Sequence, residues 1–222
     1  MSDFEALPRP ERKATKRLGQ RELSRISLGV VLLVVLGLVL GGIRVFSNFK
    51  SQRDIVMAQT NLLKLWQAMR GYSEDWESRL PPAELWTDSI AGFLSAPPNT
   101  PGGALSYLHG PGEGETVGYV YNDLLTGYDL QPTGRVGEDD QPAKKHPLAD
   151  VNPKNIVVFI EQPGAPPNAH APIPPLSNSQ AEEALGKQLS FPHFSGDEKN
   201  ATTMVLFADG SIRRMLRQDF AK

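Results

Sequence analysis

The sequence predicts an α+β protein: one long N-terminal helix, its first half embedded in a membrane, packed on a small antiparallel β-sheet with long Pro/Gly-rich loops. Three observations carry that expectation. Residues Ile26–Ile43 (ISLGVVLLVVLGLVLGGI) hold no charge and are bounded by Arg25 and Arg44. Beyond Arg44, apolar residues recur every three or four positions as far as Trp76, and no proline interrupts residues 26–80. The last third of the chain carries short β-branched and aromatic runs, two of them joined by Asp-Gly.

Residues 1–25 hold seven Lys/Arg against four Asp/Glu, with Pro8 and Pro10 near the start. They read as a polar, cytoplasmic basic tail. Residues 44–222 hold sixteen Lys/Arg against twenty-one Asp/Glu, so the basic side precedes the apolar run. The positive-inside tendency then places the N-terminus in the cytoplasm and residues 44–222 outside it. A helix over residues 26–43 covers about 27 Å at 1.5 Å per residue, near the ~30 Å of a bilayer core. The expectation is therefore a single-pass span with the bilayer as partner, in a bacterial cytoplasmic (inner) membrane. A cleaved signal peptide is the other reading of a basic leader and apolar run. The length of the run, and the lack of a small-x-small site in GGIRVFSNF, favour an uncleaved anchor. Gly37 and Gly41 stand at the spacing that lets two membrane helices approach closely, so they are the candidate helix–helix contact.

The helical stripe continues through Ile55, Ala58, Leu62, Trp66, Met69, Tyr72 and Trp76, which predicts one helix from the span to about residue 78. Pro81 and Pro82 end it. Leu85, Trp86, Ile90, Phe93 and Leu94 predict a second amphipathic helix of about ten residues. Trp66, Trp76 and Trp86, at helical spacing, are expected in the core rather than as a platform for a glycan or peptide.

Residues 97–175 contain 14 Pro and 10 Gly, a composition of loops. Two islands within it, Val117–Asn122 (VGYVYN) and Ile156–Glu161 (IVVFIE), read as strands. Pro163–Pro175 reads as an exposed, polyproline-like connector. Thr203–Phe207 and Ile212–Leu216 flank Ala208-Asp209-Gly210-Ser211 and predict a β-hairpin, since Asp-Gly tolerates positive φ.

Together these pieces resemble the prepilin-like proteins related to type II secretion pseudopilins, in the branch whose C-terminal domain is marked by a His, nine residues and Asp-Gly. The resemblance is carried by Asn61–Pro82, by Gly118–Leu130 (GYVYNDLLTGYDL), by Asn155–Glu161 (NIVVFIE) and by Val205–Met215 (VLFADGSIRRM), in that order. It implies a pilin-like fold and a structural or accessory role beside other pilin-like or secretion-system subunits, with His193, Asp209 and Gly210 as the motif residues. Two departures stand out. Gly19 is followed by Gln20-Arg21-Glu22 instead of the Phe and Glu of a prepilin peptidase site, and His193 precedes Asp209 by sixteen positions rather than ten.

Little else in the sequence points to chemistry. There is no cysteine, hence no disulfide, thiolate nucleophile or Cys-ligated metal. His193 and Asp209 form the one motif-like titratable pair, without a recognisable third member; Asp209 reads as a turn residue and His193 as a loop residue bonded to backbone or Asp. His109, His146 and His170 lack ligand spacing for zinc. Calcium is the one ion with candidate ligands, at Glu138-Asp139-Asp140 and around Asp150–Asn152, and both clusters read better as solvated loop charge. No cofactor is expected. The mild acidity of residues 44–222 makes nucleic acid a poor partner. The function expected is that of a membrane-anchored, non-enzymatic, pseudopilin-like subunit of a cell-envelope assembly. A permanently anchored, envelope-facing binding module that never joins a filament is the alternative, and a small hydrolase centred on His193 stands third.

Overall fold

The computed structural model describes residues 19–96, 102–111, 117–130, 146–193 and 198–220, without the side chains of 19–28, 44, 47 and 48. Residues Met1–Val45 and Phe46–Lys222 form two separate compact units.

Helix α1 runs Gly19–Asp75. In the first unit, every described side chain of residues 29–43 is exposed. In the second, its stripe of Ile55, Ala58, Leu62, Leu65, Met69 and Tyr72 is buried. The helix stops without a glycine. Glu77 (φ 54°) and Ser78 (φ 68°) take the left-handed conformation instead, and the Ser78 amide donates back to the Ser73 carbonyl at 2.7 Å. A 3-10 turn at Ala83–Leu85 leads into α2, Trp86–Ala91.

The sheet holds five strands in the order β3-β1-β2-β4-β5. These are β1 (Val117–Asn122), β2 (Val157–Ala165), β3 (His170–Ala171), β4 (Thr202–Phe207) and β5 (Ile212–Leu216). Alternate residues of the central strands serve two cores. Tyr119, Tyr121, Phe159, Met204 and Leu206 pack with the α1 stripe. Val120, Ile160, Val205 and Phe207 pack on the other face with Leu185 and Leu189, from and just beyond helix α3 (Ser179–Gln188). With both faces covered, every residue of β1 and β4 is buried, rather than every second one.

Several expectations are corrected here. The sheet is mixed rather than antiparallel, because β3 pairs parallel with β1. The segment Pro163–Pro175 is no exposed connector: β2 extends through Ala165, β3 follows, and Ile173 is fully buried. Trp86 is core, but Trp76 is 58% exposed.

The membrane-embedded first half of the helix is also corrected. Among the described residues, no helix is long and apolar enough to cross a membrane. The single-pass anchor and the inner-membrane location rested on that span and fall with it. Residues 1–18 of the expected tail lie outside the described residues, and residues 19–25 belong to α1.

Candidate functional site

The partner of His193 comes from a different strand than the motif implied. At Glu161 strand β2 leaves β4: the last paired residues are Ile160 and Val205. The chain after α3 takes the vacated edge, where His193 and Thr202 exchange backbone hydrogen bonds at 3.2 and 2.7 Å. In the fork, the His193 Nε2 lies 2.8 Å from Oε1 and 2.9 Å from Oε2 of Glu161. Glu161 Oε2 also accepts from the Met204 amide at 3.2 Å, a donor the departing β2 leaves without a ladder partner. Because a carboxylate only accepts, Nε2 carries the proton and donates.

The two side chains are 3% and 0% exposed. A proton between them can hold the fork together, but substrate cannot reach it. Sequence reasoning noted Glu161 only as the end of a strand. The signal that marks it is its position, a lone carboxylate closing an otherwise apolar run.

Asp209 and Gly210 serve the hairpin. The Asp209 Oδ1 accepts from the Ser211 amide at 2.9 Å and the Ser211 hydroxyl at 2.5 Å, the side-chain turn geometry such residues favour. Burial pushes the Asp209 carboxyl up, but the Ser211 hydrogen bonds and the positive charges of Arg213 and Lys154 outweigh it and hold the group below its ordinary value. Gly210 has φ 81°, and a Cβ there would sit 2.7 Å from the Trp66 Nε1. The Asp-Gly pair is thus a turn pressed onto α1.

No family model, curated protein or solved structure matches the chain. The expected label of type II secretion pseudopilin therefore has no family support and is set aside.

Of the remaining expectations, Gly37 and Gly41 lie on α1 with no neighbouring atom within 4 Å of a built Cβ. The calcium candidate Glu138-Asp139-Asp140 lies outside the described residues. Among the described residues no group of three or more His, Asp or Glu is placed to hold a metal ion. The His146 Nδ1 accepts from the Leu148 amide at 3.1 Å and its ring meets Tyr128 edge-on.

A second buried polar knot ties the other side of the sheet. Asn122, fully buried at the end of β1, donates to the carbonyls of Val157 and Ile173 and accepts from the amides of Leu124 and Ile173. Its amide is fully used, which marks it as a structural pin rather than a binding group.

Proposed function

We propose that this chain is a structural or accessory subunit of a pilin-like assembly, without a reaction of its own, which lends helix α1 to packing against helices of other subunits. The observation that carries the reading is the apolar run of α1. From Val30 to Ile43 every large apolar side chain is more than half exposed. A helix apolar on all sides requires cover. Gly37 and Gly41, open at the surface, supply a place where a second helix backbone can come close.

The order of the prepilin-like segments supports the same reading, as does the burial of His193 and Glu161, which removes the motif histidine from contact with substrate. A photo-crosslinking residue at Leu33, Leu36 or Leu40 in the full chain tests it in cells. The expected result is discrete protein adducts through a helix of another subunit or a second copy, lost when Gly37 and Gly41 are both changed to Ile. Adducts to lipid alone, or protein adducts indifferent to the glycine changes, would sink the reading.

A further inference from the structure

The end of α1 builds a cleft of about 480 Å³, lined by Tyr72, Asp75, Trp76, Arg79 and Thr126 among others. Its volume falls in the range of small-ligand sites. Trp76 is 58% exposed while Tyr72 is buried beneath it. The two rings are stacked, 5.5 Å between centroids and 9° from parallel. One indole face is therefore occupied by tyrosine, which leaves a single flat aromatic platform.

The frame around this platform is stiff. Leu80 donates to the Tyr128 carbonyl, Gly127 to that of Leu80 and Leu130 to that of Ser78, at 2.9, 3.2 and 3.0 Å. The two left-handed residues beside Trp76, Glu77 and Ser78, are both non-glycine. Each costs roughly 1–2 kcal/mol, and such strain persists where surrounding structure over-determines it, often at ligand sites. Here it turns the chain sharply after Trp76, so that Glu77, Arg79 and Thr126 line the same cleft as the indole.

We propose that this cleft binds a neutral oligosaccharide, with a pyranose ring stacked on Trp76 and its hydroxyls held by Asp75 and the side chains around it. An indole offers a broad apolar face suited to the C–H face of a sugar. Carboxylate, guanidinium and hydroxyl groups beside it offer both donors and acceptors for hydroxyl groups. A quaternary ammonium would need aromatic walls converging on one point, and parallel stacked rings do not converge. A phosphorylated ligand meets two carboxylates, Asp75 and Glu77, against the one guanidinium of Arg79, which Glu77 already engages at 3.5 Å.

The test titrates the full-length chain with cellotetraose and with the tetrasaccharide of N-acetylglucosamine, following the indole N–H resonance of Trp76 assigned by Trp76→Phe. Tetramethylammonium chloride is the rival probe. The proposal expects at least one tetrasaccharide to shift the Trp76 signal saturably. Affinity read by isothermal titration calorimetry should fall about tenfold in Trp76→Ala, the size expected from losing one stacking contact, and several-fold in Asp75→Asn, with melting temperature unchanged in both. If neither saccharide moves the signal, if only tetramethylammonium does, or if Trp76→Ala binds as well as the parent, the proposal is overturned. None of these outcomes bears on the packing of α1.

Discussion

Glu161 and His193 are joined, 32 positions apart, at the point where the central sheet splits. The carboxylate takes two donors at once, the imidazole Nε2 and the Met204 amide, so it closes the gap that β2 leaves on β4. This relationship is better described as a rivet of the fold than as part of a catalytic group, and it makes strong demands on stability.

Removing the histidine strands a buried carboxylate. His193→Ala should destabilise the fold by about 3–5 kcal/mol, the usual cost of breaking a buried pair from one side. The double change Glu161→Met with His193→Leu leaves no buried charge and should cost clearly less than His193→Ala alone. Urea unfolding of the parent, Glu161→Met, His193→Leu and the double variant measures the coupling. Equal losses in His193→Ala and the double variant would mean that packing, not charge, sets the cost.

Asn122 should be nearly as sensitive. Asn122→Ala deletes four hydrogen bonds and leaves the buried carbonyls of Val157 and Ile173 and the buried Ile173 amide short of partners. At 1–3 kcal/mol for each group left buried and unsatisfied, a loss of about 3 kcal/mol or more is expected. Chemical denaturation reads it directly, and a loss under 1 kcal/mol would show that water replaces the side chain.

The stop of α1 can be relieved. Ser78→Gly removes the side-chain clash of a left-handed residue, worth roughly 1–2 kcal/mol, against an entropic cost of about 0.5–1 kcal/mol for glycine. The net expectation is a gain of up to about 1 kcal/mol, seen as a higher thermal midpoint. Gly210→Ala should act in the opposite sense, because it adds strain at φ 81° and meets the Trp66 indole.

Acidification should tax the hairpin turn. Folding holds the Asp209 carboxyl below its reference value of 3.8. The ionised form is therefore favoured in the folded state, and its contribution is fully present above about pH 4. It is lost as pH falls through the folded value, since the unfolded chain takes up the proton first. Asp209→Asn keeps the acceptor for Ser211 without the charge. The stability difference between parent and Asp209→Asn should therefore shrink between pH 5 and pH 2, and a constant difference across that range would contradict the assignment.

Much of this architecture is written in local pattern. The stripe Ile55 to Tyr72 names the face of α1 that is buried, because a 3.6-residue period has one physical use in a globular core. Val117–Asn122 and the two runs around Asp209-Gly210 emerge as strands and turn for equally local reasons. Where local signals were weak, the reading missed. Helix α3 buries only Ala181 and Leu185, too few for a periodic stripe, although Asn178 caps it through the Ala181 amide at 2.9 Å. Strand β3 has two residues and exists because the Tyr121 amide donates to Ala169 and because Trp86 Nε1 and Thr87 reach back to the same loop. The left-handed stop at Glu77 and Ser78 carries no glycine to announce it.

By itself the sequence determined the helix stripe, the strands of the central sheet and the Asp-Gly turn, because each depends on neighbours a few positions apart. Only the tertiary structure decided what His193 does. Its spacing to Asp209 suggested one partner, but the fork between β2 and β4 delivers another, and no local pattern encodes which carboxylate a split sheet brings within 2.8 Å. Tertiary structure likewise separated Trp86 from Trp76. Both stand at helical spacing, yet one faces the sheet while the other lies just past the helix end, where a turn of left-handed backbone leaves its indole exposed.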